Sequence, residues 1–335
     1  MPPALPALDS GRAARAYPAS MDFHLFLPLA AVALDAALGD PQRWPHPVRL
    51  IGAALNALER PVRNSPAGLQ QLYGAATALL LSYGVCVCVY YLGRLPWLGW
   101  AVSLYFAFAG LALGQLLREA KTAARLIEAG RGEEARRALG MLVSRDTSSL
   151  DRAGQWRTLA ETVSENFCDA FVAPFFYLCL GGAPLLWFYK AISTMDSMWG
   201  YKTQRFKHLG WAGARADDLL TWVPARLSAW ALILSAALMG LPTAGARANL
   251  KADAARMASP NAGWPMSAAA WLCGASMGGR AVYFGQEVEK PLLGPADCVW
   301  EAQSFKTLLN LIIISSIALC VSAGALLLGL EVVFS

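Results

Sequence analysis

The chain groups its apolar residues into long blocks separated by short polar segments. Residues 70–117 carry one charge, Arg94, in 48 positions, and 170–189, 227–246 and 307–330 carry none. A helix that crosses a bilayer needs about 20 mostly apolar residues, because lipid offers its backbone polar groups no partners. The 70–117 block is too long for one crossing and is interrupted at Gly93-Arg94-Leu95-Pro96, so it predicts two helices joined by a tight turn. A shorter block, 23–39, holds Asp35. The pattern predicts five spans and one further segment, 170–189. Gly181-Gly182-Ala183-Pro184 splits that segment into halves too short to cross about 30 Å of hydrocarbon. It therefore predicts a re-entrant hairpin with both ends on one side of the membrane.

Composition agrees with the blocks. Of 335 residues, 56% are hydrophobic and 15% charged, against about 25% charged in a soluble domain, which excludes an ordinary soluble enzyme. Charge then orients the chain. Segment 118–169 holds nine Lys and Arg, segment 40–69 holds four, and the Gly93–Pro96 turn holds one. Positive loops stay cytosolic, so both basic loops are expected inside and the turn outside. The net charge of +5 reflects topology and anionic head groups. No aromatic-interleaved basic patch or zinc-finger spacing points to nucleic acid. Seven cysteines without a CxxC pair argue against a disulfide framework or a zinc site.

The expected fold class is all-α: a polytopic integral membrane protein with amphipathic cytosolic helices, one of them over 118–139. Residues 1–20 are expected to be a disordered tail, or an over-long start before Met21. No cleavable signal peptide is expected. Residues 21–335 are expected to form a single helical membrane domain with polar motif loops at 40–69, 140–169, 190–226 and 247–295.

Those loops hold the candidate chemistry. Glu161, Glu165 and Asp169 recur at i, i+4 and i+8, with Asn166 beside them, which puts three carboxylates on one helix face. Stacked acids repel unless a cation compensates, and Mg²⁺ suits a few carboxylates plus substrate phosphates. The plainer reading, a solvated face, fits poorly with the adjoining Phe171–Phe176 run, where charge is costly. Lys190 and Asp196 flank the membrane edge, where a snorkelling lysine and a capping aspartate are the plainer roles. Asp217-Asp218 with Arg215 and Arg226 combines metal-holding acids with phosphate-binding cations. No Walker A or GxGxxG sequence is present, so any nucleotide is held outside those frames. His46 and Arg49 lie in or beside a loop stiffened by Pro41, Pro45 and Pro47, and Ser259–Pro265 is similarly stiff.

Taken in order, these fragments resemble one family, the adenosylcobinamide-phosphate synthases of cobalamin biosynthesis (CobD/CbiB). The resemblance rests on Leu34-Asp35, Gly39-Asp40-Pro41, Pro45-His46-Pro47-Val48-Arg49 and Ser144-Arg145-Asp146-Thr147. It continues through Glu161-Thr162-Val163-Ser164-Glu165-Asn166, Tyr189-Lys190 with Thr194–Met198, Asp217-Asp218 to Pro224-Ala225-Arg226, and Ser259–Pro265. Cys168 and Gln286 depart from the family pattern outside the densest motifs. The resemblance implies an ATP-dependent amide ligase with Mg²⁺. It would join adenosylcobyric acid to (R)-1-amino-2-propanol O-phosphate, or a related amino-alcohol phosphate, giving adenosylcobinamide phosphate. Glu161, Glu165, Asn166, Asp169 and Asp196 are the candidate catalytic residues. His46, Arg49, Arg145, Lys190, Lys202, Arg215, Arg226, Ser259 and Asn261 are candidates for binding substrate and phosphate. Glu165, Asp169, Asp217 and Asp218 are the candidate Mg²⁺ ligands. The implied setting is the cytoplasmic membrane of a bacterium, with the site facing the cytosol. Self-association and association with later cobalamin-assembly enzymes stay open. The rival reading is a transporter without chemistry. Against it, the motifs cluster at one membrane face and no inverted pair of broken helices occurs.

Overall fold

The computed structural model describes residues 21–40, 46–201, 203–283 and 285–334. The expected tail at 1–20 and Lys202 lie outside the described residues. Thirteen helices and one β-hairpin are described: α1 (Met21–Leu38), α2 (Pro47–Glu59), α3 (Ala67–Leu92), α4 (Gly99–Gly110), α5 (Leu113–Glu128), α6 (Gly132–Gly140), α7 (Arg152–Phe167), α8 (Ala173–Trp199), α9 (Trp211–Leu220), α10 (Trp222–Leu238), α11 (Ala244–Ala255), α12 (Gly263–Cys273), β1 (Met277–Tyr283), β2 (Gln286–Leu293) and α13 (Ala302–Phe334).

The chain is a multi-pass membrane protein. Ala67–Leu92, Gly99–Glu128, Arg152–Trp199 and Ala302–Gly329 are long and apolar enough to cross a bilayer. The α9–α10 pair adds a fifth segment, bent by 43°. The two helices expected within 70–117 are α3 and α4, joined by a turn in which Trp97 takes a positive φ of 66°. The apolar part of α1, Phe26–Leu38, is shorter than a full crossing and packs against α4, α5 and α8.

Two local readings are corrected. The helix expected over 118–139 is two, because Gly130 adopts φ +70° after α5 and the chain restarts as α6. The helix expected over 227–246 ends at Leu238, where Gly240 (φ +72°) and Pro242 turn the chain back into α11. The all-α expectation needs one addition. β1 and β2 pair antiparallel, with Tyr283 opposite Gln286 and a register shift between Met277 and Gly279. Gly278 and Gly279 both sit at positive φ, a conformation that glycine tolerates without a Cβ clash. Their adjacency hides the strand, since Gly weakens strand propensity.

The split expected at Gly181-Gly182 is present within α8. Gly181 (φ −151°, ψ 24°) and Gly182 (φ 65°, ψ −164°) leave helical geometry. The two arms fold against each other so that Tyr177 and Tyr189 stack with ring centroids 5.1 Å apart. One irregular turn, Cys168–Val172, whose hydrogen bonds span five residues, joins α7 to the first arm. Deep packing holds the second arm: Trp187 is fully buried and its Nε1 donates to the Phe106 carbonyl at 2.7 Å.

Candidate active site

A cavity of about 870 Å³ opens where the end of α7, the second arm of α8, α9 and the loop before α12 meet. Glu165, Asp169, Asp196, Asp217 and Asp218 line it, together with Arg215, Ser259 and Asn261. Three stretches of the sequence thus bring five carboxylates to one space. Each is placed by its element. Asp151 caps α7 by accepting from the Gly154 amide at 2.7 Å, which sets the helix that ends in Glu165. The wide turn after Phe167 carries Asp169. Gly181-Gly182 returns the chain so that Lys190 lies within electrostatic reach of Asp169 and Asp217. Thr221, buried, donates to Asp217 Oδ2 at 3.4 Å.

The loop before α12 is tied to the same rim. Ser259 Oγ accepts from the amides of Asn261 and Ala262, both at 3.3 Å. Asn261 Nδ2 donates to the Asp218 carbonyl at 2.8 Å, and Asn261 Oδ1 accepts from Arg226 at 3.0 Å. The Arg226 guanidinium lies over two rings, Trp222 at 4.2 Å and Trp264 at 4.6 Å. Such stacking fixes its plane. Because α11 runs back beside α12, the Ser259 loop stands with the acids rather than at the far end of α10.

Other predicted residues stand elsewhere. Glu161 does not line the cavity: it pairs with Arg145, and its Oε1 accepts from the Gly278 amide at 2.7 Å. The carboxylate is 1% exposed and the guanidinium 7%. Expected as a catalytic acid and a phosphate-binding arginine, the two are spent on each other. One helical turn is enough to separate Glu161 from Glu165, placing it under β1. Asn166 Nδ2 donates to the Thr162 carbonyl at 2.9 Å, one turn back on its own helix. His46 caps α2 through Nδ1, which accepts from the Val48 amide at 3.3 Å, and its Nε2 lies 3.9 Å from Asp40. Burial lowers the His46 pKa, while Asp40 raises it and Lys190 and Arg49 lower it. Arg49 is exposed on the first turn of α2. His46 and Arg49 thus form a second polar group, with Lys190 between it and the acids.

Some cavity residues escape the sequence reading. His208 and Lys207 line the cavity in a stretch that carries no motif. Tyr189, within a motif already named, is buried with its hydroxyl lacking a hydrogen-bond partner.

The donor set suits Mg²⁺ bound together with phosphates. Among the described residues no three His, Cys, Asp or Glu side chains converge as a closed metal cage does. Mg²⁺ needs no such cage, since one or two carboxylates with substrate phosphates and water satisfy it. Asp217 Oδ1 is buried without a hydrogen-bond partner. A buried carboxylate oxygen left in that state favours a bound cation.

A sequence model of the CobD/Cbib protein family matches residues 28–312. The chain belongs to that family. A cobalamin biosynthesis protein CobD of Klebsiella pneumoniae subsp. pneumoniae is 43% identical over 272 residues, 78% of this chain and 85% of the relative. A CobD of Citrobacter koseri is 38% identical over 307 residues, 88% of this chain and 96% of the relative. The cobalamin biosynthesis protein CbiB of Salmonella typhi is 39% identical over 270 residues, 78% and 85% of the two chains. No solved structure matches the chain. The stretch shared with the CobD/Cbib family runs from α1 into α13 and includes every residue of the cavity.

Proposed function

We propose that this protein is an ATP-dependent amide ligase of cobalamin biosynthesis, joining adenosylcobyric acid to an amino-alcohol phosphate such as (R)-1-amino-2-propanol O-phosphate. Membership of a family whose relatives are named cobalamin biosynthesis proteins supports a role in that pathway. The observation that carries the finer reading is the cavity itself: five carboxylates facing Arg215, with Lys190 beside them and Arg226 at the rim.

A carboxylate does not acylate an amine unaided. Transfer of the ATP γ-phosphoryl group to a propionate carboxylate forms a C–O–P acyl phosphate and releases ADP. The amine then attacks the acyl carbon, the C–O bond to phosphate breaks, and the nitrogen loses a proton. Such a site needs cations for two phosphorylated substrates and a carboxylate to take the amine proton. Mg²⁺, held by Asp217 and Asp169, would neutralise charge on the nucleotide phosphates. Arg215 and Lys190 would meet phosphate oxygens. Glu165 and Asp196 are the acids left to receive the proton, and Arg226, held against two indoles, would orient the Ser259–Asn261 loop against substrate. The site would face the cytosol, where ATP is made, across the cytoplasmic membrane.

The test is coupled turnover. Detergent-purified protein should release ADP only when cobyric acid and the amino-alcohol phosphate are both present, with one amide product per ADP by mass spectrometry. ATP consumption indifferent to either substrate would refute the reading.

A further inference from the structure

The segment between α8 and α9 is polar and carries no motif, yet it is fixed at both ends. Arg205 donates from Nε and Nη2 to the two carboxylate oxygens of Glu59, each at 2.6 Å, which ties the segment to the end of α2. The Lys207 amide donates to the Thr203 carbonyl at 2.9 Å, and the Gly210 amide to the Phe206 carbonyl at 2.8 Å. Leu209 is buried and wedged between two helices at glycines. A Cβ at Gly74 on α3 would stand 2.0 Å from the Leu209 carbonyl oxygen, and one at Gly210 would stand 1.8 Å from the Trp199 carbonyl oxygen. Ordering a polar turn costs conformational entropy, so packing this close implies a use for the side chains it places. Two of them, Lys207 and His208, line the cavity. Gln71, also in the lining, lies three residues before Gly74 on α3 and hence on the face of that helix that meets the turn.

We infer that Lys207, His208 and Gln71 form the seat for the phosphate of the amino-alcohol phosphate, with its ammonium directed to the acids of the same cavity. The lining divides by charge. α7 and the turn after it, α8 and α9 supply Glu165, Asp169, Asp196, Asp217 and Asp218, whereas α3 and the 201–210 segment supply Gln71, Lys207 and His208 and no acid. Among the described residues no ion pair engages Lys207. His208 Nδ1 is buried without a hydrogen-bond partner. An N–H there would lack an acceptor, so the neutral ring keeps its hydrogen on Nε2 and can donate it. An ammonium, an imidazole N–H and a carboxamide N–H make a donor set that suits a phosphate dianion. The amine substrate of the proposed ligation is a zwitterion, with an ammonium at one end of a short chain and a phosphate at the other. A cavity that draws acids from one group of elements and donors from another binds it in one direction, with the amine toward Glu165 and Asp196. Arg215 and Lys190 remain for the nucleotide.

The identity of the ligand rests on the ligase reading, and the seat can be tested apart from it. Detergent-solubilised full chain is titrated calorimetrically with (R)-1-amino-2-propanol O-phosphate and with 1-amino-2-propanol, which lacks the phosphate. The wild type should bind the phosphorylated compound roughly tenfold more tightly or better, and Lys207→Met combined with His208→Gln should abolish that preference. Lys207→Met alone changes an exposed side chain and should leave Tm unchanged while weakening binding of the phosphorylated compound about fivefold. Lys207→Arg, which keeps the charge, should bind it as the wild type does. In turnover, Lys207→Met should raise the KM for the amino-alcohol phosphate and leave the KM for ATP unchanged. Equal binding of the two compounds by the wild type, or a preference that survives in Lys207→Met and in the double variant, would overturn the seat. A rise in the KM for ATP instead would give these donors to the nucleotide and overturn it equally. Loss of the preference in the double variant, with no ligase activity in the wild type, would overturn the ligase reading and leave the phosphate seat standing.

Discussion

Tyr177 and Tyr189 stack face to face, centroids 5.1 Å apart and planes inclined by 17°, although twelve residues separate them. In an unbroken α-helix that separation is about 18 Å along the axis. The contact therefore requires the chain to reverse at Gly181-Gly182, and the reversal brings Lys190 back to Asp169. Tyr177 also donates its hydroxyl to the Leu220 carbonyl at 2.8 Å, so the same stack seats the end of α9 beside Asp217. The cavity depends on this one turn.

Gly182 should tolerate no side chain. Its φ of 65° and ψ of −164° lie in a region open essentially to glycine alone, where other residues cost about 1–3 kcal/mol. Gly182→Ala is expected to lower Tm in detergent and, by displacing Lys190, to reduce activity more than Gly240→Ala, whose added methyl group also meets a positive φ but lies far from the acids.

Glu165 should be indispensable to turnover and dispensable to folding. Glu165→Gln keeps the shape of the side chain and removes its charge. The expected result is loss of activity with an unchanged gel-filtration profile; retained wild-type activity would remove Glu165 from the catalytic set.

Arg145 should matter for stability through its partner. Removing one member of a buried ion pair costs about 3–5 kcal/mol, because the other charge is left without compensation. Arg145→Met is expected to lower Tm strongly. Replacing both residues, Arg145→Met with Glu161→Gln, should recover part of the loss in the same melting experiment.

Glu59 supplies a pH-dependent tie between α2 and the 200–210 segment. Arg205 Nε and Nη2 donate to its two carboxylate oxygens, each at 2.6 Å. The hydrogen bond from Arg205 holds the carboxyl below its ordinary value of 4.5. The folded state thus favours the ionised form, and as pH falls the unfolded chain takes up the proton first. The contribution is complete well above pH 4.5 and is lost as pH falls through the folded value. Melting curves of wild type and Glu59→Gln should differ at neutral pH and converge on acidification.

The membrane sides of the chain can be mapped. Gln71 lines the cavity near the start of α3, and Gly93 lies 22 residues on, about 33 Å away along the helix. In a cysteine-free background, Ser148→Cys and Thr203→Cys should be labelled from the cavity side by an impermeant maleimide, and Trp97→Cys, at an 89% exposed position, from the other side. Reaction of Ser148→Cys and Thr203→Cys from opposite sides would mean that α8 crosses the membrane.

What the sequence by itself determined follows from short-range physics. Uncharged blocks of about 20 residues must span or enter lipid, paired glycines before a proline must break a helix, and basic loops must stay on one side. These rules suffice for the membrane class, the α3–α4 turn and the split in α8, and the ordered motifs carried the family. The tertiary structure decided the rest, because it depends on what each residue meets across the fold. Periodicity put Glu161 and Glu165 on one face, but only the packing of β1 on α7 directs the first to Arg145 and Gly278 and the second to the cavity. Arg226 reads as a phosphate cation along the chain, and only the fold brings two tryptophan rings and Asn261 against it. The hairpin of β1 and β2 is invisible to pattern, since its glycines and charges satisfy neither period, and its place is set by carbonyls and amides of other segments. A side chain's chemistry can be read along the chain, but its partner can be known only once the chain has folded.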